Sequence, residues 1–254
     1  MKHFGKHIVQ WILFWCATVS LKIHRPFVIA ISGSTDKTLV KELLSDVFKH
    51  HGHTVRINPK SFNTEIGLPL AILYLPSGGS SPLQWLGICV TAVFKAFFEP
   101  SFPPILIVEL GVDHPGDMEY LLRIVHPRVA IVTTCTDQYL PNFHMLERYA
   151  QEFERLVKAV PRSGLVVLNT NDERIRAMEA ITQSEVMTIG ERSVDSISIH
   201  AIQVNAEQQS WTIWAAPSAT DQTFSTIRPG SHHRFAHTAA FSVHQWYDNY
   251  KAQS

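Results

Sequence analysis

A short stretch near the beginning of the chain, ISGSTDKTLVK, has the residue types and spacing of a phosphate-binding loop. Gly33, Ser34 and Thr35 are small residues whose backbone N–H groups can approach an anion closely. Lys37 and Thr38 follow at the start of a predicted helix, where the N–H groups and the helix dipole favour negative charge. A lysine at this place can reach phosphate oxygens, and a threonine hydroxyl can hold Mg²⁺. The stretch therefore predicts a site for a phosphorylated ligand.

Asp36 is the residue of this loop that departs from the usual pattern. A glycine normally precedes the lysine, because it permits close approach of the ligand and a positive φ. A carboxylate would also face the phosphates, and two like charges about 4 Å apart repel by up to about 4 kcal/mol at an effective dielectric constant of 20. Lys37 and Mg²⁺ would reduce that repulsion. Aspartate is also a favoured N-cap, so Asp36 is alternatively expected to cap the following helix, at about 1 kcal/mol.

The elements around this loop alternate between strand and helix. FVIAI and TVRIN read as buried strands on either side of a helix at about 38–50, and PILIVEL (104–110) is a strand that ends at a carboxylate. Further helices are predicted at 82–98 and 231–250. This alternation predicts an α/β fold with a mainly parallel, doubly wound sheet. From about residue 195, three strand-like runs follow one another without helices, which predicts a small antiparallel β meander before the C-terminal helix.

The first residues of the chain form an apolar segment. Residues 8–21 read IVQWILFWCATVSL and follow Lys2 and Lys6. The segment is short for a membrane-spanning helix, which needs about 20 apolar residues, and no small-residue cleavage site follows it. We expect an apolar N-terminal helix over 1–24, packed on the domain formed by 25–254 or lying on a membrane surface.

Composition limits the classes of function. The 254 residues include 22 basic and 22 acidic side chains, so no surplus of positive charge supports nucleic-acid binding. Cys16, Cys89 and Cys135 are far apart and odd in number, which gives no zinc or disulfide framework and favours a cytoplasmic setting.

Histidines are frequent, with 14 in the chain. They cluster in HHGH, which holds His50, His51 and His53, and in the pair His232 and His233. Neither cluster has a recognisable metal-ligand spacing, and both are expected to lie at the surface.

Five further segments occur in a characteristic order, and together with the loop they resemble the central, ATP-binding domain of the Mur ligases. They are FNTEIGLPLAIL (62–73), ILIVELGVDHPGDM (105–118), HPRVAIVTT (126–134), GLVVLNTNDERI (164–175) and GSHH (230–233). Within the family, the resemblance is nearest to the UDP-N-acetylmuramoyl-tripeptide:D-alanyl-D-alanine ligases of peptidoglycan synthesis. It covers roughly residues 25–245, so the N-terminal and C-terminal domains of such ligases are expected to be missing from this chain.

The resemblance implies a chemistry and a set of site residues. Such ligases use ATP and Mg²⁺ to convert a carboxylate into an acyl phosphate, which an amine then attacks to form an amide. By resemblance, the loop residues bind the phosphates, and residues of other segments bind Mg²⁺, the nucleotide and a muramyl-peptide-type substrate. The implied roles are ATP and phosphate binding for Gly33, Ser34, Thr35, Asp36, Lys37, Thr38, Asn169, Asp172 and His232; catalysis for Lys37 and Glu109; Mg²⁺ binding for Thr38 and Glu109; and substrate binding for Asn63 and Thr64.

Several positions depart from the family at places where chemistry is expected. Phe153 stands where the family has a carbamoylated lysine that binds Mg²⁺, and Ala236 stands where it has an asparagine. The family's Thr-Asn segment, with a histidine five residues after the asparagine, appears here as Thr133-Thr134 through Tyr139. We therefore expect a Mur-ligase-like protein with degraded catalysis.

Two alternatives stay open. The chain is alternatively a non-catalytic binding or scaffolding module that docks on another cell-wall ligase chain, or on the inner membrane face through residues 8–21. A generic P-loop NTPase is a weaker alternative, because the order of the other segments disfavours it.

Overall fold

A computed structural model of the chain describes residues 3–59, 62–137, 140–205, 207–215 and 221–253. Nine described strands form one sheet in the order β2-β3-β1-β4-β5-β6-β7-β8-β9. The strands are β1 (Phe27–Ser32), β2 (Val55–Ile57), β3 (Ile105–Glu109), β4 (Val129–Val132), β5 (Leu165–Asn169), β6 (Glu185–Gly190), β7 (Ile197–Val204), β8 (Gln209–Ala215) and β9 (Gln222–Thr226).

The helices lie on both faces of this sheet. They are α1 (His3–His24), α2 (Lys37–His50), α3 (Gly67–Ile72), α4 (Pro82–Phe98), α5 (Asp117–Leu122), α6 (Leu140–Phe143), α7 (Leu146–Ala159), α8 (Glu173–Ala177) and α9 (Ser231–Gln253). Strands β1 to β7 pair in parallel, whereas β8 and β9 pair antiparallel. The predicted fold class, a mainly parallel sheet with an antiparallel meander and a terminal helix, is confirmed.

The central strands are apolar except at the ends of β3 and β5, where Glu109 and Asn169 lie, because both of their faces are covered. Every residue of β3, β4 and β5 is buried. One face of the sheet forms a core with helices that include α1, α3, α4, α5 and α7. The opposite face forms a second core with α2 and α9. Runs of buried residues such as these are typical of parallel strands between two layers of helices.

Helix α1 packs against α3 and α4 in the first of these layers. Val9, Leu13 and Ala17 face the core, at spacings of four residues that keep them on one side of the helix. None of the helices described here combines the length and the apolar character needed to cross a bilayer.

Helix α3, which lies between β2 and α4, is not among the helices predicted from the sequence. The Thr64 hydroxyl accepts a hydrogen bond from Gly67 N, and the Thr64 carbonyl accepts one from Leu68 N. All residues of Gly67–Ile72 are buried. Pro69 lies in the first turn, where a helix needs no N–H donor, so proline is compatible with this short helix.

Candidate functional site

The loop between β1 and α2 lies at the carboxyl edge of the sheet, where ligands bind in folds of this kind. Gly33 follows β1 with a φ of 133°. A Cβ at this position would overlap the Thr133 hydroxyl, which belongs to the segment after β4. Gly33 is therefore required both for its backbone conformation and for the close approach of a neighbouring strand end.

The segment after β4 holds the first part of the loop in place. Ser34 N donates to Thr134 O at 2.8 Å, and Thr136 N donates to the Ser34 hydroxyl at 2.7 Å. The Thr133 hydroxyl donates to Thr35 O at 2.7 Å, and the hydroxyls of Thr35 and Thr134 lie 3.0 Å apart. Ser34 and Thr35 therefore bind the neighbouring segment, and the loop is rigid at its start.

Asp36 adopts the left-handed conformation, with a φ of 64° and a ψ of 4°. Its position is the N-cap of α2, yet its carboxylate caps no N–H group of the described helix. Instead it accepts a hydrogen bond of 2.7 Å from the Thr35 hydroxyl. The prediction that Asp36 caps the helix is wrong, because a capping side chain needs an extended N-cap backbone. The positive φ explains why glycine suits this position, and aspartate is among the residues that tolerate it.

Lys37 begins α2 and folds back over the loop. Its ammonium donates to Gly33 O at 2.5 Å and to Ser34 O at 3.1 Å. Thr38, the next residue, is exposed in the first helical turn. The lysine therefore occupies the concave side of the loop, at the place where phosphate oxygens were expected.

The charge of Lys37 is set by competing effects. Burial lowers the pKa of its ammonium below the ordinary value of 10.5, and the carboxylates of Glu109, Asp113 and Asp36 act in the opposite direction. A bound phosphate would add negative charge and favour the protonated lysine further.

Glu109 lies at the end of β3, beside Ile31 of β1, and is 1% exposed. Its carboxylate lies 2.7 Å from the ammonium of Lys41, and both side chains are 2% exposed. Lys41 also donates to Asn58 O at 2.8 Å, and Asn58 Oδ1 accepts from Glu109 N at 3.0 Å. Glu109 is thus buried beside the ammonium of Lys41, while its Oε1 makes no hydrogen bond among the described residues.

Lys41 was missed by the sequence reasoning. It lies four residues after Lys37, so the two lysines project from nearby positions on one face of α2. That spacing was the available signal, but the partner at Glu109 is remote in sequence.

Asn63 and Thr64 lie near the end of β3. Asn63 O accepts a hydrogen bond from Gly111 N at 2.9 Å, and the Asn63 side chain lies so close that a Cβ on Gly111 would overlap it. Thr64 is exposed and lies three residues before the start of α3. These residues are on the β3 side of β1, with Glu109.

Asn169 and Asp172 lie at the end of β5. Asp172 caps α8, because its Oδ1 accepts from Arg174 N at 3.0 Å and from Ile175 N at 3.3 Å. Its Oδ2 accepts from Cys135 N at 2.7 Å and so ties this turn to the segment after β4. Asn169, at 8% exposure, lies beside it at the strand end.

The start of α9 completes this side of the edge. His232 is exposed, whereas His233 is buried, which makes the expectation of a surface position wrong for His233. Burial lowers the pKa of His233, and His232 acts in the same direction. Ala236 lies in the core with 0% exposure.

A cavity of about 500 Å³ opens between the ends of β1, β4 and β5 and the start of α9. It brings together four of the predicted residues, Asp36, Asn169, Asp172 and His232, and adds Arg174 as a cation that the sequence reasoning did not identify. Its other lining residues are Thr133, Thr134, Thr136, Asn171, Glu173, Ser231 and Phe235. The cavity offers hydrogen-bonding groups, and its charged lining residues are Arg174 and the carboxylates of Asp36, Asp172 and Glu173.

The predicted donors do not form a complete set for Mg²⁺, which prefers six oxygen ligands. Phe153 has 0% exposure and packs its ring 4.7 Å from that of Tyr149, so it is part of the core and supplies no oxygen. Glu109 is engaged by Lys41, which leaves only the Thr38 hydroxyl among the predicted donors. Tyr139 lies outside the described residues.

Comparisons with known proteins show which proteins the chain is similar to. A UDP-N-acetylmuramoyl-tripeptide--D-alanyl-D-alanine ligase of Mycobacterium bovis is 27% identical over 195 residues, which cover 77% of this chain and 30% of the relative. The corresponding ligase of Escherichia coli is 23% identical over 145 residues, 57% of this chain and 26% of the relative. The chain therefore spans about a third or less of the length of these curated relatives.

Solved structures show the same fold. MurF from Acinetobacter baumannii superposes with a TM-score of 0.73 at 18% identity, covering 92% of this chain and 46% of that one. MurF ligase from Thermotoga maritima, solved in complex with ADP, gives 0.73 at 19% identity, covering 93% and 49%. The family model of the Mur ligase middle domain matches residues 96–243, which is more than half of the sequence. The chain belongs to the Mur ligase family.

Proposed function

We propose that the chain is a nucleotide-binding protein of peptidoglycan peptide synthesis that keeps the ATP pocket of a MurF-type ligase but has degraded catalysis. Its substrate class is a muramyl peptide, whose carboxylate a complete ligase would activate. The observation that carries the proposal is the cavity of about 500 Å³ at the carboxyl edge, lined by residues from four of the family's segments.

Binding is supported by the positive groups that face this edge. The ammonium of Lys37 lies against the loop, and Arg174 lines the cavity beside the end of β5. The first N–H groups of α2 also lie at this edge, and they remain available to an anion because the Asp36 side chain does not cap them. Together these groups would bind the anionic part of a nucleotide.

Degraded catalysis is supported by the groups around Glu109. Phosphoryl transfer depends on cations that neutralise the charge developing on the transferred group. Glu109, the expected Mg²⁺ ligand, already pairs with Lys41 at 2.7 Å, and Phe153 offers no replacement oxygen. A nucleotide in the cavity would therefore bind without the full set of groups that transfer its phosphate.

The test is calorimetric titration of the chain with ATP and with ADP, with and without Mg²⁺. We expect binding that Lys37→Ala weakens at least tenfold and that Asp36→Gly strengthens, since a carboxylate is removed from the ligand's side. Lys49→Ala changes an exposed lysine at the other end of α2 and serves as the control. Absence of binding to wild type and to Asp36→Gly would refute the proposal. Sustained ATP-dependent ligation of D-alanyl-D-alanine to a muramyl tripeptide by this chain alone would refute the loss of catalysis.

A second role is favoured by the outer surface of α1 and α4. On α1, Ile8, Trp11 and Trp15 are exposed, with Trp11 at 65%. On α4, a stripe of apolar residues at helical spacing is exposed, and Leu83 reaches 81%. The exposed members of that stripe are Leu83, Leu86, Val90, Val93, Phe94, Phe97 and Phe98. An apolar surface of this size usually marks a binding surface.

The charges around this surface fit an anionic lipid bilayer. Neither α1 nor α4 contains an aspartate or glutamate. Lys6 and Lys22 are exposed towards the two ends of α1, and Arg25 follows it. Tryptophan side chains with flanking cations favour the interface between headgroups and acyl chains. The proposed role is peripheral attachment of the domain to the cytoplasmic face of a membrane.

Flotation with vesicles tests this attachment. Vesicles that contain phosphatidylglycerol should bind the chain, and pure phosphatidylcholine should bind it more weakly. The double variant Trp11→Asp/Phe94→Asp should lose binding, whereas Val194→Asp, at a site 78% exposed elsewhere, should keep it. Failure to float, or a dimer in size-exclusion chromatography that disappears with the double variant, would refute lipid as the partner of this surface.

A further inference from the structure

Three histidines meet where the end of α2 approaches the C-terminal half of α9. His51 and His53 follow α2, and His244 projects from α9 towards them. Asp248 lies one helical turn after His244, so the two side chains share one face of α9. His53, His244 and Asp248 place one possible ligand atom each within 4.8 Å of one another.

The separations within this cluster are close to those of a metal site. His53 Nε2 lies 3.8 Å from Asp248 Oδ1, and His244 Nδ1 lies 3.4 Å from Asp248 Oδ2. In a tetrahedral site with bonds of about 2.1 Å, neighbouring ligand atoms are about 3.4 Å apart. The separation between His53 and Asp248 would close by about 0.4 Å, which rotation of their partly exposed side chains can provide.

His244 is fixed in place by burial and by the rings around it. The residue is 3% exposed, and its Nδ1 is the nitrogen that lies beside Asp248. Its other ring nitrogen, Nε2, has no hydrogen-bond partner among the residues that the structure describes. The ring is held between neighbours, because its centroid lies 5.1 Å from that of Phe48 and 3.9 Å from that of His51.

His51 supports this position without being counted as a ligand. Its Nδ1 lies 2.8 Å from Val47 O. A carbonyl can only accept, so this nitrogen carries the proton and the orientation of the ring is fixed. His51 therefore restrains His244 through a tilted ring contact, with the ring planes 34° apart.

We propose that His53, His244 and Asp248 bind a divalent transition-metal ion of the Zn²⁺ type, which fastens α9 to the end of α2. Two imidazoles and one carboxylate suit Zn²⁺, Co²⁺ or Ni²⁺ better than Mg²⁺, which prefers oxygen ligands. The exposed side of the cluster leaves room for water as a further ligand. The site is separate from the nucleotide cavity, since α2 runs about 20 Å from one to the other.

Titration of the full chain with Zn²⁺ tests the proposal, with calorimetry for affinity and thermal unfolding for stability. We expect one equivalent to bind and to raise Tm, and EDTA to reverse the rise. His53→Gln and Asp248→Ala should each lower the affinity at least tenfold, and Co²⁺ should give visible d–d absorption that both variants lose. His50→Gln alters an exposed histidine three residues from His53 and should bind as wild type.

Circular dichroism shows whether each variant is folded, so that a loss of binding reports on the site. Undetectable binding of Zn²⁺ at micromolar concentration would overturn the proposal. So would affinities in His53→Gln and Asp248→Ala that equal the wild-type value, because the metal would then be held by other histidines.

Discussion

The carboxyl edge of the sheet is built differently on the two sides of β1. On the β4 and β5 side, the strand ends surround an open cavity of about 500 Å³. On the β3 side, the equivalent space holds the side chains of Lys41, Asn58 and Glu109, each at most 2% exposed. The first side keeps room for a ligand, whereas the second is filled by the protein's own charges.

This difference separates two tasks that a ligase must combine. Binding a nucleotide needs a cavity and hydrogen-bonding groups, which the β4 side has. Activating a carboxylate also needs oxygen ligands available to a metal, and on the β3 side the carboxylate of Glu109 is paired with Lys41 instead. Under the proposed function, nucleotide binding and turnover depend on different halves of one edge, and variants can address them separately.

The largest effect is expected from removing the lysine of the buried ion pair on the β3 side. Lys41→Met leaves the carboxylate of Glu109 buried and uncompensated, which should lower the free energy of unfolding by about 3–5 kcal/mol. The double variant Lys41→Met/Glu109→Leu should recover most of that loss, because an apolar pair can replace a buried ion pair. Urea denaturation measures both, and Lys49→Met should change the value by less than about 0.5 kcal/mol. A loss below about 1 kcal/mol for Lys41→Met would show that the ion pair is not the main support of this side.

A smaller effect is expected at Cys135, next to the open side, where its backbone N–H donates to Asp172. Burial, with the charge of Asp172 in the same direction, raises the pKa of the Cys135 thiol from 9.0 to about 11. At pH 8 the reactive thiolate is then about 100-fold scarcer than in an ordinary cysteine, so alkylation should be slower by about that factor. The rate should rise about tenfold for each pH unit between 8 and 10.

Site-resolved mass spectrometry after iodoacetamide treatment measures this rate, with the urea-unfolded chain as reference. Asp172→Asn keeps a carbonyl acceptor but removes the charge, so it should lower the pKa and speed the reaction. Equal rates in the folded and unfolded chains would show that the Cys135 thiol is open to solvent in the folded chain.

The smallest effect is expected for the substitution Asp36→Gly, measured as the change in the free energy of unfolding. Glycine relieves the left-handed backbone, at about 1 kcal/mol, but removes the hydrogen bond from Thr35, at about 0.5–1.5 kcal/mol. The free energy of unfolding should therefore change by less than about 1 kcal/mol. Asp36→Ala loses the hydrogen bond without relieving the backbone and should be less stable than Asp36→Gly by about 1 kcal/mol. Equal stability of the two variants in urea denaturation would mean that the positive φ carries no cost.

The main helices and strands and their order could be predicted from the sequence, because local sequence patterns determine them. Helix α4 was predicted at 82–98, and its bounds are Pro82–Phe98, since a serine N-cap and a proline at the first position mark its start. The convergence of Asp36, Asn169, Asp172 and His232 on one cavity follows from the rule that the ends of parallel strands meet at one edge.

Contacts between side chains remote in sequence could not be predicted in this way. The pairing of Lys41 with Glu109, and the meeting of His53 with His244, depend on how α2 is rotated against the sheet and against α9. The positive φ of Asp36 could not be predicted either, because an aspartate at this position is compatible with both a helix cap and a left-handed turn. The catalytic and ligand-binding roles assigned by resemblance stay predictions that the proposed titrations test.

The position of β1 in the sheet has a consequence for the order of folding during synthesis. It leaves the ribosome well before its two partners, β3 and β4, which begin at residues 105 and 129. Closing such long loops is slow, so β1 stays unpaired while α1 and α4 are already present. For that interval the nascent chain exposes an open strand edge beside two apolar helices, and we expect a chaperone or an adjacent surface to protect it from aggregation.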